Sequence, residues 1–328
     1  MSRAASSTGV LGSLSSLAAL FRRAPRPVEG DEEELFDDEF QRKLEYLALV
    51  SRRVFSGRLR AERRTKKSGS GVEFADHRDY QPGDDFRTLD WNVYQRFGRL
   101  LVRLYEEEED LAIYLILDTS GSMAFKSDRG SAGTKLAYAK KIVAALAYVG
   151  LANLDRVSVV TTSDRILERM PETRGKARIF KTFRFLRSVG AEGTTHLGDA
   201  MKTFVAQHKR RGLAVLVSDL YDPQGFERGI NVLRYNKFDA FVVHVVDPAD
   251  AKPRLQGDVL VYDCETGDER EVTVTAKVLE RFGAAYAEYL AGVERFCSSR
   301  QVPYVTASVD VPFDELILRV FRRGGFLR

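Results

Sequence analysis

The chain reads as an α/β protein with a doubly wound, mostly parallel sheet, preceded by a smaller amino-terminal region. Three observations predict this. The runs 111–117 and 213–217 are apolar without alternation, as central strands covered by helices on both faces must be. From 111 onward strand-like and helix-like segments alternate, the pattern of crossover units that build a parallel sheet. Each of the two runs ends at a carboxylate, Asp118 or Asp219, and open α/β sheets bind ligands just beyond the carboxyl ends of their strands.

The elements follow in order. Residues 1–34 are rich in Ser, Ala, Arg and Pro, end in acids, and read as a flexible leader. Residues 35–110 form the amino-terminal region. Within it, 40–55 carries Leu44, Leu47, Ala48 and Val54 at a helical period. The basic run 58–67 reads as a solvated surface, with phosphate or an acidic partner as the alternative, and 68–71 is a Ser-Gly loop. Residues 80–85 turn by Pro-Gly chemistry. Arg87, Asp90 and Trp91 bring no nucleophile with a base, so buried ion pairs and a Trp anchor are expected there. A strand at 100–105 leads to an acidic run, 106–110, read as a solvated turn.

Residues 111–328 make the main domain. Strand 111–117 is followed by helix 134–149, where Leu136, Ala139, Val143, Leu146 and Val149 recur at helical spacing, and by strand 157–161. Helices at 178–188 and 197–208, strand 213–217, helix 225–235 and strand 238–246 come next. Segments 258–262 and 271–274 look like a hairpin insertion near 255–275, ahead of helix 278–297, strand 304–308 and helix 313–322.

Composition narrows the class. At 328 residues and 44% hydrophobic, the chain can bury a substantial core. Lys plus Arg number 51 against 47 Asp plus Glu, a balance that declares no nucleic-acid partner. The two cysteines, Cys264 and Cys297, lie far apart without metal-ligand spacing, which suits a reducing compartment. No apolar stretch reaches the roughly 18–20 residues that span a bilayer. The weakly apolar 10–21 is broken by Ser13, Ser15 and Ser16 and lacks the build of a secretory signal. A cytoplasmic protein without a transmembrane segment is expected.

The chemistry concentrates at Asp118-Thr119-Ser120-Gly121-Ser122. A tight loop can turn Asp118, Ser120 and Ser122 toward one point, offering hard oxygen donors and no sulfur or imidazole. Such a set suits Mg²⁺, or Mn²⁺, rather than zinc. Three groups do not complete an octahedron, so later loops must add to it. Asp219 ends the second apolar run, and Thr195 precedes a helix between the two strands, with Thr194 as the close alternative.

This order and spacing resemble the metal-ion-dependent adhesion site (MIDAS) of von Willebrand factor type A domains, which are Rossmann-type in fold. By that resemblance Asp118, Ser120, Ser122, Thr195 and Asp219 hold the metal, which accepts a carboxylate from a binding partner. Upstream, His77-Arg78-Asp79-Tyr80-Gln81-Pro82-Gly83-Asp84-Asp85-Phe86-Arg87-Thr88-Leu89-Asp90-Trp91, followed by Leu101-Val102-Arg103-Leu104-Tyr105-Glu106, is similar to the signature of domain-of-unknown-function family 58 (DUF58). Proteins of that family often lie beside AAA+ ATPases of the MoxR type. The resemblance therefore implies a MoxR-type ATPase, or its client, as protein partner, and a role in protein assembly or remodelling.

The reading that follows is a non-catalytic, metal-dependent protein-interaction module. A metal-dependent phosphohydrolase is the alternative, but aspartyl-nucleophile phosphatases carry a second Asp where this chain has Ser120, and only His196 stands near enough in sequence to serve as a base. Nucleic-acid binding through 58–67 and the aromatic-basic stretch 94–99 is the second alternative, opposed by the acids of 106–110 close by. The chain has no glycine-rich Lys-Ser/Thr loop for nucleotide phosphates, so it is not expected to hydrolyse ATP.

Overall fold

A computed structural model describes residues 35–55, 64–68, 73–108, 111–124 and 133–323. The expected leader 1–34, the Ser-Gly positions 69–71 and residues 58–63 of the basic run lie outside these. The chain divides into two units: Arg52–Asp110, and Leu111–Arg328 together with Met1–Ser51.

Helix α1, Asp38–Phe55, opens the described chain and belongs to the larger unit as far as Ser51. The division thus differs from a single region at 35–110. Its cause is an apolar stripe: Phe36, Phe40, Leu44 and Leu47 are all buried. Phe36 stacks on Phe183 at 4.6 Å between ring centroids, and Phe40 meets Phe313 at 4.6 Å.

The smaller unit has strands β1, Arg64–Ser68, and β2, Glu73–Asp79, helix α2, Trp91–Phe97, and strand β3, Leu101–Glu108. Its antiparallel sheet runs in the order β1–β3–β2. The basic run is therefore strand from Arg64, and the acidic run, expected as a turn, is strand as far as Glu108. Register pairs Arg64 with Glu108 and Lys66 with Glu106. The turn after β2 is held by Arg78, whose Nη2 donates to Asp84 Oδ1 and Oδ2 at 2.8 and 2.9 Å. Asp90 caps α2 by accepting from Asn92 N and Val93 N, and its other oxygen lies 3.0 Å from His77 Nε2. Trp91 is 53% exposed and meets Tyr94 edge-on, so the expected buried Trp anchor is not found. Leu89 and Val102 are the buried hydrophobic side chains described in this unit, a core too small to enclose an indole.

The larger unit is built on a six-stranded sheet. Its strands are β4, Ala112–Asp118; β5, Arg156–Thr162; β6, Ile166–Thr173; β7, Leu213–Ser218; β8, Asp239–Val246; and, beyond the insertion, β11, Tyr304–Ser308. The order β11–β8–β7–β4–β5–β6 places the first strand of the unit at the centre. All pairs are parallel except β5 with β6. Every residue of β4 is buried, which explains its unbroken apolar run.

Helices cover both faces. Helix α3, Lys135–Ala152, packs on β4 and β5 and against α4, Ile179–Ser188. The opposite face buries Tyr114 and Ile116 in one cluster with Leu197, Met201 and Phe204 of α5, Leu197–Gln207, and Ile230 and Leu233 of α6, Glu227–Tyr235. A short helix, α7, Pro248–Ala251, leads to a separate hairpin of β9, Gly257–Tyr262, and β10, Glu269–Val274. Helix α8, Ala276–Ser299, adds Tyr286, Tyr289, Val293 and Cys297 to the same cluster, and α9, Phe313–Arg323, ends the described chain. The result is a doubly wound α/β domain with one reversed edge strand. Among the described residues no helix is long and apolar enough to cross a membrane.

Candidate metal centre

The site forms where β4 and β7 end side by side. Their parallel register pairs Leu117 with Val217, so the next residues, Asp118 and Ser218, leave the sheet as neighbours. Asp118, Ser120 and Asp219 are each 0% exposed. Asp118 Oδ1 accepts from Ser120 N at 3.0 Å, which curls the loop back over its own carboxylate, and Asp118 Oδ2 accepts from Ser218 Oγ. Ser120 Oγ lies 3.0 Å from Ser122 Oγ, and Ser122 Oγ donates to Asp219 Oδ1 at 3.2 Å. Four of the five sequence-derived ligands thus form one hydrogen-bonded chain.

Thr195 stands on the adjoining loop. Gly121 N donates to Gly193 O at 3.0 Å and Glu192 N to Thr119 O at 2.7 Å, so this loop is stitched to the Asp-x-Ser-x-Ser loop. Thr195 is buried and Thr194 is half-buried, which separates the two alternatives by accessibility. The Thr195 hydroxyl donates to Glu265 Oε1 at 2.7 Å. Capping of α5 falls to neither threonine: Leu197 N donates to Asp222 Oδ2 at 2.8 Å.

One of the four described non-glycine residues with a left-handed backbone lies beside the site. Leu220 has a φ of 59°, a left-handed conformation costing a branched residue on the order of 1 kcal/mol or more. Leu220 N donates to Ser218 Oγ, and Leu220 O accepts from Tyr289 OH at 2.7 Å, which holds the turn that aims Asp219.

Three groups absent from the sequence reading, Lys135, Asp250 and Glu265, complete the cluster. Lys135, buried in the first turn of α3, donates its ammonium to Asp219 Oδ2 and lies 3.4 Å from Asp250 Oδ2. Its Nζ also stands 4.8 Å above the Tyr221 ring, whose hydroxyl donates to Asp250. Glu265, from the tip of the β9–β10 hairpin, takes both polar groups of Thr195. A lysine in a helix's first turn opposes the macrodipole, and that mismatch was a readable sign for Lys135; nothing local marked Glu265 or Asp250.

Electrostatics are tense. Burial, and after it the neighbouring Asp219, pushes the Asp118 carboxyl up to about 7, and burial likewise raises Glu265. His244, whose Nε2 lies 3.1 Å from Asp219 O, is driven down to about 4 by burial and stays neutral. Among the described residues no group of three or more His, Cys, Asp or Glu is arranged to hold a metal, so any cation here depends on the serine and threonine hydroxyls.

Sheet order and the reversed edge strand define a doubly wound α/β domain with a buried polar cluster where its central strands end. The chain belongs to the family described as protein of unknown function DUF58, which matches residues 76–291. Its relatives include the uncharacterized protein Rv1480 of Mycobacterium tuberculosis, 26% identical over 308 residues, covering 92% of this chain and 95% of that protein. The uncharacterized protein MAV169 of Mycobacterium avium is 32% identical over 141 residues, 42% of this chain and 82% of that one. Among solved structures, BatB from Bacteroides thetaiotaomicron aligns at a TM-score of 0.40 and 13% identity, over 66% of this chain and 99% of that one. The SpRpn10 VWA domain aligns at 0.37 and 12%, over 64% and 95%.

Proposed function

We propose that this protein is a non-catalytic interaction module in which Asp118, Ser120, Ser122, Thr195 and Asp219 hold Mg²⁺, with Mn²⁺ as a substitute, and the bound ion captures a carboxylate of a protein partner. The observation that carries this reading is the hydrogen-bonded chain from Asp118 through Ser120 and Ser122 to Asp219, four buried side chains from two adjacent strand ends. The donor set fits the ion in kind, being oxygen throughout. It also fits in charge: Asp118 and Glu265 each feel the Asp219 carboxylate, and the Lys135 ammonium contacts Asp219 and Asp250 alone among these four acids in the described contacts. A divalent ion supplies the missing positive charge and an electrophilic point for an incoming acid.

A binding role is favoured over hydrolysis by His196. Its Nδ1 is buried without a hydrogen-bond partner among the described residues, so no carboxylate or carbonyl is seen to orient the ring toward the cluster. The partner proposed is a MoxR-type AAA+ ATPase or its client, met in the cytoplasm during protein assembly or remodelling.

Calorimetric titration with Mg²⁺ tests the site. The wild type is expected to bind, and Asp118→Ala to lose at least the roughly 10–100-fold in affinity that even an outer-sphere partner is worth. A pull-down with and without chelator tests the role: a partner retained equally in both, and equally by Asp118→Ala, removes the ion from the binding mechanism.

A further inference from the structure

The β9–β10 hairpin is hydrogen-bonded to no strand of the six-stranded sheet, yet its tip reaches the candidate metal centre. The tip is stiffened by its own residues. Asp263 Oδ1 accepts from Glu265 N at 2.8 Å and from Thr266 N at 3.1 Å, Gly267 N donates to Asp263 O at 2.9 Å, and Gly267 has the left-handed φ of 76° that glycine adopts without strain. This geometry points Glu265 away from the hairpin axis and onto Thr195. Oε2 accepts from Thr195 N at 3.0 Å while Oε1 accepts from Thr195 Oγ1 at 2.7 Å, so one carboxylate takes both donors of one proposed ligand.

The tip also seats on the Asp-x-Ser-x-Ser loop. A Cβ placed on Gly121 would lie 2.8 Å from the Cys264 carbonyl oxygen, so only glycine at 121 allows the approach. The rest of the hairpin is lightly anchored, with Val261 and Val274 as its buried side chains. Lifting the tip breaks no ladder of the main sheet.

We propose that Glu265 is a built-in occupant of the acid position: the tip holds its carboxylate where a partner's carboxylate must come, and an outside acid gains the site only when the tip lifts. This rests on the metal-dependent binding reading above. It adds that the site is closed by the chain itself and opens by competition between two carboxylates. A partner must therefore supply an acid together with enough surrounding contact to displace a tethered one, a form of specificity that free acids in solution do not meet.

Mn²⁺ serves as the probe, read by water-proton relaxation on the full chain as wild type, Glu265→Ala, Glu265→Gln and Asp118→Ala. Wild-type protein is expected to bind Mn²⁺ with a shielded ion that is indifferent to acetate. Both Glu265 variants admit water, raising the relaxation enhancement of the bound ion about twofold, and added acetate reverses the rise in those variants alone. In metal-free protein the Thr195 amide should exchange roughly tenfold faster once its acceptor is replaced by alanine. Equal enhancement and equal acetate response in wild type and both Glu265 variants, with Asp118→Ala still abolishing binding, overturns the occupant and leaves the metal site standing. Failure of every form to bind Mn²⁺ overturns both.

Discussion

Lys135 places an ammonium in the first turn of α3, where the helix dipole disfavours a cation, and the carboxylates of Asp219 and Asp250 are what hold it there. A buried pair is costly to break from one side only. Lys135→Met is therefore expected to destabilise the metal-free protein by about 3–5 kcal/mol in urea unfolding, since two acids lose their counter-charge. Mg²⁺ at saturating concentration should recover part of that loss in the variant; no recovery would mean that no ion enters among these acids. His208 gives a pH test away from the site. Burial lowers its pKa below 6.5, so the unfolded chain binds the proton that the native state refuses. Stability from this residue is complete above pH 6.5 and falls as pH drops below it, and His208→Gln should flatten that part of the stability–pH curve. The five candidate ligands were readable because each sits at a strand end or a helix start, positions that sequence periodicity marks. Lys135 carried a local sign only in its mismatch with the helix dipole, and Asp250 and Glu265 carried none, because they are brought in by packing between segments remote in sequence and their own neighbourhoods look like ordinary charged surface.

At the scale of elements, the apolar runs of β4 and β7 were legible because burial on both faces leaves no polar positions. Strand β6 was missed for the opposite reason: it is an edge, with Met170 its one buried residue and Pro171 beside it, so it carries neither alternation nor an apolar run. Strand β3 was legible as far as Tyr105, whereas its acidic continuation and the basic strand β1 were obscured by runs of like charge that carry no apolar alternation. The close approach of β4 and β7 is testable at Gly212, just ahead of β7. A Cβ there would lie 2.2 Å from Ala112 O, a backbone atom that cannot swing aside. Gly212→Ala should cost about 1–3 kcal/mol in denaturant unfolding, and an unchanged midpoint would show that the strand ends are looser than this packing.

For the molecule as a whole, the chain enters the larger unit, leaves it for Arg52–Asp110 and returns at Leu111. Sequence composition placed the boundary before 111 but not the membership of α1, because an amphipathic helix does not state which core receives its apolar face. Phe36, Phe40, Leu44 and Leu47 together bury side chains worth roughly 6–12 kcal/mol, as much as a whole domain's net stability. A chain beginning at residue 52 is expected to lose its cooperative thermal transition by circular dichroism, whereas Phe40→Ala should only lower it, by about 3–5 kcal/mol. The ammonium tethered at the centre of the carboxylate cluster has an outcome of its own. On the proposed metal-dependent reading, a protein starved of divalent ions keeps a resident counter-charge, so depletion should silence it without dismantling it, and resupply should wake it without a round of refolding.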